Sequence, residues 1–71
     1  MPLNSYTTRL FTDEFYLKRK IIEEAFETVN FEQGDGLAWE AADLIYHLSV
    51  FMARHNVTIE DIRNNLKSRT K

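Results

Sequence analysis

Apolar residues recur along the chain at helical spacing, and no stretch alternates apolar and polar residues as a β-strand does. A first helix is predicted to run through Leu10 and Phe11. Thr12 or Asp13 is an N-cap residue type, so a second helix is predicted to start there and to continue to about Gln33. This helix carries one apolar stripe, formed by Phe15, Ile22, Phe26 and Val29.

Residues 34–36 contain both glycines of the chain and form its strongest helix break. A third helix is predicted for residues 37–55, with Asn56 as its C-cap. A fourth starts at Thr58 and has Ile59, Ile62 and Leu66 as its predicted inner face. The pattern predicts an all-α fold, a long helical hairpin with short flanking helices.

The third helix has an unusual distribution of charge. Between residues 37 and 53 the only charged side chains are Glu40 and Asp43, one turn apart on one face. A surface helix normally carries charges along a broad face. A helix that is apolar almost all round must be buried, and one short hairpin cannot bury it alone. We therefore predict that a second copy covers this helix, in a helical-bundle dimer or a higher even oligomer.

The length of 71 residues predicts one domain, residues 1–71. So short a chain buries only about 60% of its unfolded surface, and it usually needs a disulfide, a metal or a partner. The absence of cysteine excludes disulfides and thiolate metal sites. The net charge of −2 argues against nucleic acid as a partner. No apolar run approaches the roughly 20 residues of a membrane span, so a cytoplasmic protein without a membrane partner is expected.

Acidic residues on the second and third helices suggest a metal site. Glu24 and Glu27 are one turn apart, as are Glu40 and Asp43, and the short connection can align the two pairs. Converging carboxylates form a hard oxygen site that suits Mg²⁺, or Mn²⁺, and such an ion can bridge phosphate oxygens and activate water. The basic residues available for phosphates are Arg9, Lys18, Arg19, Lys20 and Arg54.

Simpler interpretations exist for each of these residues. Glutamates on a helix are commonly solvent-exposed residues without a specific role, and Lys20 with Glu24 forms an ordinary i, i+4 ion pair. His47 is a possible ligand or outer hydrogen-bond donor, but a satisfied core histidine is the prediction. His55 is predicted to be a cap or surface residue.

Three stretches resemble a known family. The spacing of Glu23, Glu24 and Glu27 followed by Glu40 and Asp43 resembles the metal motif of the MazG-like all-α nucleotide pyrophosphohydrolases. Three segments are similar in sequence to phosphoribosyl-ATP pyrophosphohydrolases: residues 5–10, residues 19–25 and residues 39–47. The chain is short for that family.

The resemblance implies Mg²⁺-dependent hydrolysis of 1-(5-phosphoribosyl)-ATP to 1-(5-phosphoribosyl)-AMP and pyrophosphate, the second step of L-histidine biosynthesis, in a helical dimer. It implies that Glu23 and Glu24 are catalytic, Glu23 as an extra ligand or as the base for the attacking water. The implied metal ligands are Glu24, Glu27, Glu40 and Asp43, and the implied phosphate-binding residues are Arg9, Arg19 and Lys20.

Two alternatives remain open at this point. One is a MazG-like pyrophosphohydrolase that acts on other nucleoside triphosphates. The other is a helical dimerisation module without catalytic activity, in which the acids are surface residues. Release of pyrophosphate that depends on Mg²⁺ distinguishes an enzyme from such a module.

Overall fold

The structure, a computed structural model, describes residues 3–70, so Met1, Pro2 and Lys71 of the predicted domain lie outside the described residues. The described residues contain helices and no strand, which confirms the all-α fold with a long hairpin and shorter flanking helices. The helices are α1 (Leu3–Thr12), α2 (Glu14–Val29), α3 (Gly36–Arg54) and α4 (Ile59–Arg69).

Asp13 begins α2 as the sequence predicts. Its carboxylate accepts a hydrogen bond from the Tyr16 backbone N–H at 3.0 Å, which satisfies a free donor of the first turn and contributes about 1 kcal/mol. The predicted end of this helix at Gln33 is wrong, because α2 ends at Val29 with Asn30 as its C-cap. The Asn30 side chain donates to the Phe26 carbonyl at 2.9 Å and so competes with continuation of the helix.

The turn between α3 and α4 is defined by local hydrogen bonds. His55 is the C-cap, one residue before the predicted Asn56, and Asn56 adopts a left-handed conformation with φ 58°. The N–H groups of Asn56 and Val57 donate to carbonyls of the last turn of α3, as in a Schellman motif. Thr58 then starts α4 with a reciprocal capping box to Asp61, which confirms the predicted start.

α2 and α3 form an antiparallel hairpin, and α1 packs against both of them. In the described part of the chain the buried hydrophobic residues are Leu10, Leu17 and Val50, one from each of these helices. Aromatic and aliphatic side chains pack around them, namely Tyr6, Tyr16, Ile21, Tyr46 and Phe51. This small core holds α1, α2 and α3 together.

α4 packs against none of the other helices within the described residues. Its predicted inner face is therefore not buried within the chain: Ile59, Ile62 and Leu66 are 69%, 39% and 58% exposed. The left-handed Asn56 lies in the turn before α4, and an open groove of about 520 Å³ lies between α3 and α4. None of the described helices is both long enough and apolar enough to cross a membrane.

Further apolar surface remains uncovered on the hairpin. The stripe on α2 that the sequence identifies is exposed along its whole length, and Ala42, Ser49 and Ala53 of α3 are exposed as well. The exposed stripe on α2 consists of Phe15, Ile22, Phe26 and Val29. The chain by itself thus covers little of the apolar surface that its helices present.

Candidate metal centre

Carboxylates from α2 and α3 meet between the two helices. Glu24 from α2 and Glu40 and Asp43 from α3 each place one carboxylate oxygen within 4.8 Å of the others. Glu24 is only 6% exposed, and the other two are partly buried. The one-turn spacing of Glu40 and Asp43 puts both on the face of α3 that packs on α2. The two acidic segments therefore converge as the sequence predicts.

Two oxygens of this cluster have no hydrogen-bond partner among the described residues. They are Oε2 of Glu24 and Oε2 of Glu40, both buried. Burial, and then repulsion from Glu27 and the other acids, raises the pKa of both carboxyl groups, although Lys20 and His47 partly offset this for Glu24. Buried carboxylate oxygens that lack a hydrogen-bond partner and lie among like charges are costly. Hard oxygen donors that lack a partner fit a divalent cation such as Mg²⁺.

The two remaining predicted acids lie outside this group of three. Glu27 is exposed but close to Glu40, since its charge and a side-chain hydrogen bond both contribute to the raised pKa of Glu40. Glu23 is half exposed and is paired with Lys20. Glu27 therefore lies at the edge of the cluster, and Glu23 lies beside its basic neighbour.

Lys20 links the acidic cluster to its basic surroundings. Its Nζ lies 3.3 Å from Oε2 of Glu23 and 3.5 Å from Oε1 of Glu24. Partial burial lowers the pKa of Lys20, but the hydrogen bond with Glu23 and the negative charges of Glu23 and Glu24 outweigh it, so the net pKa is raised. The ammonium group is thus held in its charged form beside the carboxylates.

The other two predicted phosphate-binding residues meet at Tyr16. The guanidinium of Arg9 lies 3.8 Å from the centre of the Tyr16 ring, and that of Arg19 lies 5.6 Å from it. Both distances are in the range of cation–π contacts. Both arginines are exposed, so their remaining donors are available to an anion. The structure therefore gathers the two arginines around one aromatic ring.

His47 is hydrogen-bonded through both ring nitrogens. Nδ1 donates to the Asp43 backbone carbonyl at 2.6 Å, so Nδ1 carries a proton and, in the neutral ring, Nε2 is an acceptor. The Tyr6 hydroxyl donates to Nε2 at 2.6 Å, and burial raises the pKa of Tyr6 to about 12. His47 is 5% exposed, so the prediction of a satisfied core histidine is confirmed. His47 orients the backbone of Asp43 and ties α1 to α3.

Arg54, a sequence candidate for phosphate binding, is used elsewhere. It donates to the Phe11 carbonyl, and its Nε lies 3.6 Å from Oε1 of Glu14. His55 hydrogen-bonds the same carboxylate, and as a C-cap that is half exposed it confirms the prediction of a cap or surface residue. This cluster fastens the beginning of α2 to the end of α3.

Sequence reasoning missed the residues that hold the site together. Tyr16 stands three residues before Arg19, so that contact was readable from helical spacing. The partnership of Tyr6 with His47 joins residues 41 positions apart and has no local signal.

Beside the acids lies an open depression of about 580 Å³. Glu27 and Glu40 line it together with exposed aromatic side chains, among them Phe26 and Trp39. A volume of this size is in the range of small-molecule sites. The arrangement therefore combines an acidic cluster with room for an organic ligand next to it.

Comparison with known proteins gives a consistent result. The family model described as phosphoribosyl-ATP pyrophosphohydrolase matches residues 1–70. The chain is 39% identical over 75 residues to a phosphoribosyl-ATP pyrophosphatase of Metallosphaera sedula, a match that covers 100% of the chain and 81% of that relative. No solved structure matches it significantly.

Two other relatives are much longer than this chain. A histidine biosynthesis trifunctional protein of Komagataella pastoris is 45% identical over 65 residues, which cover 92% of this chain but only 8% of that protein. A histidine biosynthesis bifunctional protein of Thermotoga maritima is 41% identical over 75 residues, which cover 100% of this chain and 38% of that protein. The similarity thus includes relatives in which the matched segment is one part of a larger chain.

Proposed function

The chain belongs to the phosphoribosyl-ATP pyrophosphohydrolase family, and we propose that it hydrolyses 1-(5-phosphoribosyl)-ATP to 1-(5-phosphoribosyl)-AMP and pyrophosphate. This reaction is the second step of L-histidine biosynthesis, the pathway for which the longer relatives are named. The observation that carries the proposal is the convergence of the buried Glu24 with the partly buried Glu40 and Asp43, where one oxygen of Glu24 and one of Glu40 have no partner among the described residues. Such an arrangement costs stability and is explained by a bound cation.

Mg²⁺, or Mn²⁺ in its place, is the proposed cofactor. Glu24, Glu40 and Asp43 would hold it, and Glu27 is close enough to Glu40 to join them. A divalent cation bound there would neutralise phosphate charge and make a coordinated water more acidic. Without such a cation, a polyphosphate would be repelled by these carboxylates.

The basic residues are the proposed partners of the substrate phosphates. Lys20 carries its charge directly beside the carboxylates, whereas Arg9 and Arg19 are held at the Tyr16 ring with exposed guanidinium groups. Guanidinium groups bind phosphate oxygens through paired N–H donors. We propose that these three residues orient the triphosphate so that its α–β bridge faces the acids.

In the proposed reaction, water attacks a phosphorus atom of the α–β anhydride and the bridging P–O bond breaks. The water loses a proton to a carboxylate, and Glu23 is the proposed acceptor because it is half exposed and next to Lys20. Glu24, on the buried side of the same helix turn, would take part by holding the metal ion. The α-phosphate stays on the phosphoribosyl-AMP, and the β- and γ-phosphates leave together as pyrophosphate.

The proposed active form is a homodimer or a higher even oligomer. Support comes from the uncovered apolar stripe on α2 and the uncovered faces of α3 and α4, set against a core of few buried residues. A chain of this size rarely folds stably on so small a core. The proposed location is the cytoplasm, and its support is the similarity to relatives named for histidine biosynthesis.

The test of the reaction is pyrophosphate release from a panel of phosphoribosyl-ATP and the ordinary triphosphates, with Mg²⁺ and with a chelator. We expect rapid release from phosphoribosyl-ATP only with the metal, and a loss of orders of magnitude in Asp43→Asn. Glu60→Gln, which removes an exposed α4 carboxylate paired with Arg63, is the control and should remain active. Faster release of pyrophosphate from another nucleotide would assign a different substrate. If no nucleotide released pyrophosphate, the proposed enzymatic activity would be refuted.

The test of assembly is light scattering at micromolar concentration. We expect a dimer or a larger even assembly, and we expect Ala42→Glu to dissociate or unfold it by burying a charge in the interface. Gln33→Glu adds the same charge in an exposed connection and should leave the assembly intact. A stable folded monomer would refute the proposed oligomer.

A further inference from the structure

Thr28 makes a hydrogen-bonded bridge between the two helices that carry the acids. It lies one turn after Glu24 on α2, and its Oγ1 is 2.7 Å from the Glu24 carbonyl and 3.2 Å from the Glu40 carbonyl of α3. A carbonyl oxygen can only accept, so the single hydroxyl proton of Thr28 is shared between these two oxygens. The bridge thus joins the backbones of two residues whose carboxylates belong to the cluster.

This bridge is not needed to satisfy a buried polar group. The hydroxyl already has an acceptor in its own helix, the Glu24 carbonyl. The Glu40 carbonyl lies inside α3, where the regular helix pattern supplies a donor four residues later. The contact across the helices is therefore additional to secondary structure, and its consequence is to fix how α2 lies against α3 at this level.

The position of α2 relative to α3 matters because the carboxylates come from both helices. Glu24 belongs to α2, whereas Glu40 and Asp43 belong to α3, so a slide of one helix along the other changes the distances among the oxygens. Mg²⁺ requires oxygen ligands at about 2.0–2.1 Å in near-octahedral geometry, so displacements well under 1 Å weaken binding. We propose that Thr28 is a positioning residue, whose hydroxyl sets the separation of the Glu24 carboxylate from those of Glu40 and Asp43 for metal binding. This role rests on the proposed function, since it requires that the cluster binds a divalent cation.

Two substitutions separate the hydroxyl from the shape of the side chain. Thr28→Val keeps the branched shape and a similar helix propensity but removes the donor, whereas Thr28→Ser keeps the donor. Thr12→Val is the matched control, because the Thr12 hydroxyl donates at 2.8 Å to the Thr8 carbonyl of its own helix. All variants are compared as the full chain, with Mn²⁺ affinity measured by calorimetry and the thermal midpoint measured in chelator.

We expect Thr28→Val to bind Mn²⁺ about tenfold more weakly, the lower end of the effect of residues that support metal ligands. The metal concentration for half-maximal activity should rise by the same factor, while kcat at saturating metal falls much less. Thr28→Ser and Thr12→Val should stay within about twofold of the parent in Mn²⁺ affinity, well below that effect.

The outcomes distinguish the two proposals. If the parent binds Mn²⁺ and Thr28→Val binds it equally well, the positioning role is overturned and the metal site stands, even if the thermal midpoint has dropped. The role is equally overturned if Thr28→Ser loses affinity as Thr28→Val does, since side-chain shape would then be the cause. If the parent itself binds no Mn²⁺, the metal site and the role of Thr28 fall together.

Discussion

Glutamates stand at both ends of the α2–α3 hairpin, in opposite electrostatic environments. At one end, burial and repulsion among neighbouring acids raise the pKa of Glu24 and Glu40, and one oxygen of each has no partner in the described part of the chain. At the other end, the hydrogen bond from His55 and the nearby positive charges of Lys18 and Arg54 lower the pKa of Glu14. The ionised form of a glutamate is therefore disfavoured at one end of the hairpin and favoured at the other.

The difference shows which end serves stability. The Glu14 end, where one carboxylate meets Arg54 and His55, fastens two helices and needs no ligand to explain it. The acidic end lowers the stability of the metal-free fold, because like charges are gathered out of water. The proposed cation site would offset this cost in a protein with so small a core, which surface carboxylates without a ligand would not.

Glu24→Gln should have the largest effect. It keeps the shape of the side chain and removes one negative charge, so we expect activity to fall by more than about 100-fold, beyond the range for residues that only support a ligand. In chelator its thermal midpoint should rise, because repulsion is relieved and the amide can donate to a neighbouring carboxylate. Assays of pyrophosphate release and calorimetric melting measure the two effects. If Glu24→Gln were as active as the parent, the acidic cluster would have no part in the proposed reaction.

The pH dependence of stability without metal should differ between the two ends. A carboxyl group whose folded pKa is raised stabilises below its unfolded pKa of about 4.5, and this contribution is lost as pH rises through the folded value. The lowered pKa of Glu14 acts oppositely: its contribution is present above about 4.5 and is lost as pH falls through the folded pKa.

We therefore expect Glu24→Gln to flatten the loss of stability towards neutral pH, and Glu14→Gln to flatten the loss towards acid. Thermal midpoints in chelator from pH 3 to 8 measure this, with Glu60→Gln as the control. Mg²⁺ should reduce the loss towards neutral pH in the parent, because a bound cation stabilises the ionised acids. Equal slopes in both variants would contradict the comparison.

Local signals explain how much of the fold the sequence predicts. Asp13 and Thr58 start their helices as predicted, because a cap is formed by a side chain and the backbone two or three residues away. The wrong end of α2 at Gln33 also has a local cause, the Asn30 cap, whereas the prediction for α4 fails because tertiary packing decides it. The apolar face of α4 was assigned to the interior from its periodicity, but periodicity does not state which surface covers it, and no other helix of the described chain does.

The site shows the same division. The spacing of Glu40 and Asp43 predicts a shared helix face, and the short connection predicts that Glu24 meets them. The assignment of Arg54 could not be judged from the sequence, since its contacts with Phe11 and Glu14 depend on how α1 and α3 dock. Contacts within one helix turn, or across the short α2–α3 connection, are predictable from the sequence, whereas contacts that depend on how α1 docks are not.

Glu14→Gln tests the fastening end and should have a smaller effect. We expect a lower thermal midpoint at neutral pH, since Arg54 and His55 lose a charged partner, with Mn²⁺ affinity within about twofold of the parent because Glu14 supports no proposed ligand. Glu60→Gln breaks an exposed i, i+3 pair with Arg63 and should cost only about 0.2–0.5 kcal/mol. If the thermal midpoints of Glu14→Gln and Glu60→Gln were equal, the Glu14 cluster would be an ordinary surface ion pair.

The smallest expected effect is the coupling between the two ends. Glu14 and Glu24 are ten residues apart on α2, which is about 15 Å along a helix, and they share no ion-pair partner among residues 3–70. Substitutions this far apart add within about 0.5 kcal/mol, so the free energy of unfolding of Glu14→Gln/Glu24→Gln should equal the sum of the single changes within that margin. Denaturant unfolding of the parent, the two single variants and the double variant in chelator measures the coupling. A larger coupling would mean that fastening one end alters the acids at the other, so that the hairpin would have to be treated as a single electrostatic unit.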